Sequence, residues 1–290
     1  MLPLPLLDSR FAQRVVVVAG GAQVALRECA AASTESDGSP VIVLLHGIGS
    51  GAASWLHCAS ALEAQGRVIA WDAPGYGEST PLVPSAPLAS DYAQRLDELL
   101  AALHVARCVL VGHSLGALMG AAFSHGIGRA RISRLVLLSP ARGYGAPGQD
   151  DARREVLDRR LATLHSGGIE GMAAQSADRM LTPQASAAAR AWVQWNMGRL
   201  NPAGYTQALQ MLCADDIARY APIAVPVEVH CGDGDAVTPP AASRDVATLL
   251  DAPFALIPQA GHACPVEQPE AVAQLIARAA AAAASESLQP

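Results

Sequence analysis

The chain has 290 residues, 51% of them hydrophobic, with 20 basic against 26 acidic side chains and a formal net charge of −6. That is enough apolar material for a sizeable core, and an acidic balance without a basic, aromatic-interleaved stripe excludes a nucleic-acid partner. Every basic residue is arginine, so Schiff-base, pyridoxal-anchoring and P-loop chemistries, which need a lysine, are excluded as well.

The apolar N-terminus, Met1-Leu2-Pro3-Leu4-Pro5-Leu6-Leu7, is short, carries two prolines and lacks a basic lead, and no apolar run reaches membrane-spanning length. Val15 to Val18 and Gln23 to Arg27 flank Ala19-Gly20-Gly21-Ala22, the pattern of a β-hairpin. A polar loop is expected at 33–40. Strand-like apolar runs follow at 41–45, 68–71, 108–111, 135–138, 225–231 and 254–257. Apolar runs without regular polar alternation are expected of parallel strands covered on both faces. Helical periodicity falls between several of them, at 55–64, 92–103, 115–125, 241–250 and 270–284, the last fraying into a polar tail. The alternation predicts an α/β fold, a doubly wound, mostly parallel sheet.

Between 141 and 221 the periodicity is helical and no strand is apparent. An insertion of this length predicts a helical lid on a core built from residues 1–140 and 222–290. It holds Met172, Met180, Met197, Met211, Trp192, Trp195 and Tyr205. These side chains suit either a pocket for a partly apolar substrate or contacts that bind the helices to each other and to the core. The run Asp150 to Glu155, with Arg159 and Arg160, reads as a solvated helix face. The scattered Cys29, Cys58, Cys108, Cys213, Cys231 and Cys264 show no zinc spacing and predict reduced thiols in a cytoplasmic protein. Neither metal nor cofactor is expected. The expected partner is a small molecule, with no nucleic acid and no membrane, and homodimerisation is left open.

Gly112-His113-Ser114-Leu115-Gly116 leaves a β-branched run and enters a helix rich in small residues. A strand-to-helix turn this tight needs glycines and exposes the central serine oxygen, making Ser114 the candidate nucleophile. A serine needs a histidine base, and the base needs an acid. His262, which a turn at Gly261 after the last predicted strand would aim at Ser114, is the best placed of the eight histidines. His46 and His113 lie in turn motifs suited to loop-stabilising hydrogen bonds. For the acid, Asp233 and Asp235 compete after the run 225–231. Asp235 is preferred because it lies farther past the strand end, with Asp233 ordering the loop. The backbone amides of Leu115 and of Ile48, in the glycine loop His46-Gly47-Ile48-Gly49-Ser50-Gly51, are the candidate oxyanion donors.

Four motifs in order, His46-Gly47-x-Gly49, Asp72-x-Pro74-Gly75-x-Gly77-x-Ser79, Gly112-x-Ser114-x-Gly116 and Gly261-His262, resemble the α/β-hydrolase superfamily from about Val15 to Ala284. The order Ser114, Asp235, His262 is also that of the superfamily. The resemblance implies a serine hydrolase of carboxylic esters working through an acyl-enzyme. Dehalogenases and epoxide hydrolases of the superfamily carry aspartate where Ser114 stands. Cleavage of a C–C bond in ring-fission products and enol-lactone hydrolysis are the alternatives. The first is opposed by Ala263, where those enzymes often have a bulky aromatic, and by His113, where they usually have asparagine. A non-catalytic binding protein on the same fold is a further alternative. Arg142, just past the run 135–138, is a candidate for a substrate carboxylate or for a structural ion pair.

Overall fold

A computed structural model describes residues 2–29 and 40–287; of the loop expected at 33–40, residues 33–39 lie outside the described residues. Eight strands form one sheet: β1 (Gln13–Val17), β2 (Gln23–Cys29), β3 (Val41–Leu45), β4 (Arg67–Trp71), β5 (Cys108–His113), β6 (Ile132–Leu138), β7 (Val227–Gly232) and β8 (Phe254–Ile257). Their order is β1-β2-β4-β3-β5-β6-β7-β8. The β1–β2 and β2–β4 pairs are antiparallel and the others parallel.

The non-alternating composition of the central strands has a direct cause. Val43 and Leu45 of β3, Leu110 of β5 and Leu137 of β6 enter one buried cluster, whereas Ile42, Leu44, Val109, Val111, Val136 and Leu138 enter another on the opposite face. Because successive side chains point to opposite faces, a sheet with two cores demands apolar residues throughout. Helices α3 (Ala89–Ala102), α4 (Leu115–His125) and α8 (Pro240–Leu249) feed the first cluster. Helices α1 (Leu4–Arg10), α2 (Leu56–Leu62), α9 (Cys264–Glu267) and α10 (Pro269–Ser287) feed the second. The sequence reading assigned no element to α1, whose prolines fall at its first turn, where proline is tolerated. Nor does α10 fray after Ala284, since it continues to Ser287.

Between β6 and β7 the chain forms α5 (Asp150–Met180), α6 (Ala187–Met197), α7 (Pro202–Ala214) and a 3-10 turn at Ile217–Tyr220. Helix α5 is broken at Gly168, whose φ of 60° is non-helical. The two ends of this segment are zipped together. Tyr144 N–H donates to Leu212 O at 3.0 Å, Gly145 N–H to Asp215 O at 2.9 Å and Ile217 N–H to Arg142 O at 2.8 Å. It thus leaves the sheet and returns at one place. No helix among the described residues is long and apolar enough to cross a membrane.

Candidate active site

Ser114 sits between β5 and α4 with φ 53° and ψ −114°, a left-handed conformation that costs a non-glycine residue about 1–3 kcal/mol. Its backbone is held there by hydrogen bonds: its N–H donates to Leu138 O at 2.9 Å, and its carbonyl accepts from Ala117 N at 3.0 Å and Ala141 N at 3.1 Å. The flanking glycines answer to close approach. A Cβ on Gly112 would lie 2.5 Å from Gly116 O, and one on Gly116 would lie 2.4 Å from Leu45 O.

The loop after β8 brings His262 Nε2 to 3.0 Å from Ser114 Oγ, and His262 Nδ1 to 2.9 Å from Asp235 Oδ2. All three side chains are buried. With Nδ1–H donating to the carboxylate, Nε2 is left to accept from the serine hydroxyl, so the chain of groups can draw a proton off Ser114. Asp235 lies on the loop after β7, where its Oδ1 accepts from Val237 N at 2.8 Å and Thr238 N at 2.9 Å. Burial works to raise its carboxyl, but the hydrogen bond and charge of His262, with the Thr238 amide, outweigh burial and hold it well below the ordinary carboxylate range. Asp233 is exposed and accepts instead from Ala260 N at 3.3 Å.

The histidine loop is braced from two sides. His113 Nε2–H donates to His262 O at 2.7 Å, joining that loop to the strand end before Ser114. Burial first, then the neighbouring His262, push the His113 imidazole down to about 3, so the ring is a neutral donor. On the other side, Glu267 accepts hydrogen bonds from Gly261 N at 2.8 Å, from Thr182 N at 3.1 Å and from the Thr182 hydroxyl. Gly261 was expected to supply the turn that aims His262. The left-handed residue is instead Gln259 (φ 55°), and Gly261 is needed because a Cβ there would lie 2.8 Å from Met180 O and 2.9 Å from Leu181 Cα.

The glycine loop after β3 lies directly over the serine, since a Cβ on Gly47 would sit 3.1 Å from Ser114 Cβ. Tyr76 O–H donates to Ile48 O at 2.9 Å, His46 Nε2 accepts from Ala73 N at 3.0 Å, and Asp72 Oδ1 accepts from Ala52 N at 2.7 Å. These contacts explain the Asp72 to Ser79 motif as a brace for that loop. Among the described residues the Ile48 and Leu115 amides have no hydrogen-bond acceptor, and both residues line the cavity above Ser114.

That cavity measures about 400 Å³ and includes Met172, Met180, Met197 and Tyr205 from the inserted segment. The other apolar residues singled out there pack elsewhere. Trp192 is buried in the second cluster and stacks on Trp195 at 4.7 Å, Arg199 covers Trp195, and Met211 is fully buried in the first cluster. Arg160, read as solvent-facing, is half-buried and lines the cavity, as does Arg142, whose Nε is 3.4 Å from Asp216 Oδ2. Tyr76, Thr238 and Glu267 were not singled out by sequence. Thr238 follows Asp235 by three residues, the spacing of a side chain folding back on its own turn, and its Oγ1 is 2.9 Å from Asp235 Oδ2. Glu267 offered no such signal, because its partner Thr182 is distant in the chain.

Known proteins align with this architecture. Curated relatives that bear the name "Putative carbamate hydrolase RutD" include two from different organisms. That from Enterobacter cloacae subsp. cloacae is 30% identical over 242 residues, covering 81% of this chain and 88% of the relative. That from Klebsiella pneumoniae is 33% identical over 244 residues, covering 79% and 86%. Two solved structures share the fold: a thermophilic esterase from Thermogutta terrifontis (TM-score 0.78, 24% identity, 93% and 98% covered) and the enol-lactonase from Burkholderia xenovorans LB400 (TM-score 0.79, 23% identity, 91% and 98% covered). The sequence profile of the alpha/beta hydrolase family matches residues 42–275, and this chain belongs to that family.

Proposed function

We propose that this protein is a serine hydrolase that cleaves a carboxylic ester or related acyl bond through an acyl-enzyme. The observation that carries the reading is the buried chain Ser114 Oγ, His262 Nε2, His262 Nδ1, Asp235 Oδ2, with steps of 3.0 and 2.9 Å. In this mechanism His262 Nε2 accepts the Ser114 proton as Oγ attacks the substrate carbonyl, and Asp235 holds the imidazolium that forms. The Ile48 and Leu115 amides receive the developing oxyanion. The tetrahedral adduct collapses as His262 returns the proton to the leaving group, giving an ester on Ser114. Water, deprotonated by the same nitrogen, attacks that ester, and Ser114 recovers its proton as the acid departs.

The inserted helices act as a lid over a small to medium, partly apolar acyl compound, a reading supported by the methionines that line the cavity. A second reading, hydrolysis of a carbamate, is favoured by the name borne by the relatives at 30–33% identity. The six free cysteines are all buried, which fits action in the cytoplasm. The test is labelling with a fluorophosphonate followed by intact-protein mass. Wild type gains one adduct and Ser114→Ala gains none. Equal labelling of the two, or no labelling of either, refutes the nucleophile. Turnover of a panel of aryl esters, aryl carbamates, enol-lactones and vinylogous 1,5-diketones then ranks the acyl bonds.

A further inference from the structure

The cavity above Ser114 is electrically unlike the molecule around it. In a chain of formal net charge −6, three guanidinium groups, Arg142, Arg160 and Arg179, line the cavity, and Asp216 is the one carboxylate among its described lining residues. Asp216 is already engaged: its Oδ1 accepts from Ala218 N at 2.7 Å, and its Oδ2 faces Arg142 Nε at 3.4 Å. Arg160, half-buried, and Arg179, exposed, make no hydrogen bond or ion pair with any described residue. Other arginines of the same segment behave differently. Arg153, Arg159 and Arg190 each find a carboxylate within 3 Å.

Arg160 is the informative member. It is half-buried, and its positive charge reaches Tyr76, which braces the oxyanion loop, and Cys213 of α7. A guanidinium drawn partly out of water with no acceptor is unfavourable unless something else supplies the acceptor. Its planar fork matches a carboxylate, and the apolar remainder of the lining, Ile48, Met172, Met180 and Leu212, suits the stem of such a molecule. The break at Gly168 makes this possible, because it lets Arg160 on one half of α5 and Met172, Ser176 and Arg179 on the other face the same space.

We propose that the substrate is an anionic acyl compound, with a free carboxylate remote from the bond that is cut, held by Arg160 and drawn in by Arg142 and Arg179. This rests on the reading of Ser114 as nucleophile, but its test needs no turnover. Monobenzyl glutarate and the analogue in which its carboxylate is a carboxamide are titrated calorimetrically into Ser114→Ala at low and high sodium chloride. The anion binds about tenfold more tightly at low salt, and the advantage shrinks as salt screens the guanidiniums. Adding Arg160→Gln removes most of the advantage, because it weakens binding of the anion far more than that of the carboxamide. Absence of a preference for the anion, whether both probes bind or neither does, overturns the proposal, as does a preference that survives Arg160→Gln. Should the double variant not fold, the two probes at two salt concentrations decide on Ser114→Ala alone. Fluorophosphonate labelling of wild type stands or falls independently of either result.

Discussion

His113 makes the folded protein acid-sensitive in a measurable way. Its ring is buried against His262, with Asp235 and His46 also within electrostatic reach, and its value falls from the ordinary 6.5 to about 3. Between those limits the unfolded chain binds a proton that the folded chain refuses, so stability is lost as pH falls from 6.5 towards 3 and is constant above 6.5. At pH 5 the interval below 6.5 corresponds to about 2 kcal/mol at ~1.4 kcal/mol per unit. The informative variant is His113→Gln, which does not titrate and retains an N–H able to reach the His262 carbonyl. Burial also lowers His46, but that contribution is common to both proteins and cancels in the comparison. Urea unfolding followed by circular dichroism at pH 7 and pH 5 reads the difference. Wild type loses about 2 kcal/mol more than the variant over this interval. Equal losses would mean that the ring takes up its proton without unfolding, and the assignment of His113 as an obligate neutral donor would be wrong.

Three further outcomes follow from the same contacts. Asp235→Asn lowers kcat on the best ester of the panel by about 10³–10⁴-fold, because an amide no longer selects the imidazole tautomer, whereas Asp233→Asn stays within a few-fold; steady-state kinetics on both variants checks the assignment of the acid. Glu267→Ala leaves the Gly261 and Thr182 amides without their shared acceptor and destabilises the protein by about 1–3 kcal/mol, read as a lower urea midpoint, with kcat falling more than KM rises. Gly116→Ala drives a methyl group to 2.4 Å from the Leu45 carbonyl, an overlap with backbone that costs about 1–3 kcal/mol or more; a thermal midpoint equal to wild type would show that α4 can shift away from β3.

What could be read from the sequence was governed by how local each feature is. Val41–Leu45, Leu115–His125 and Phe254–Ile257 have the bounds expected of them, because each is an apolar run with turn residues at its ends. The serine turn was legible for a similar reason: Gly112 and Gly116 meet atoms of adjacent elements, and that crowding is written into a five-residue string. Side chains whose role depends on the placement of a distant element were not legible. The charged run assigns Arg160 to a solvated helix face, but in the folded chain it lines the cavity together with residues beyond the break at Gly168. Likewise Trp192 and Met172 look alike as apolar residues of helical insertions, and packing alone sends one to the second core and the other to the cavity.

The end of α5 joins what the sequence left separate. Met180 lines the cavity, and its carbonyl accepts from Ala263 N at 2.8 Å, one residue past His262. Two residues on, Thr182 shares the Glu267 carboxylate with Gly261, one residue before His262. The peptide group after His262 is therefore held directly by the last residue of α5, and Gly261 is tied to the same stretch through Glu267, while Arg179 and Met180 line the cavity. The 3.0 Å contact between His262 and Ser114 therefore rests on backbone contacts to the inserted segment as well as on the strand ends that carry the two residues.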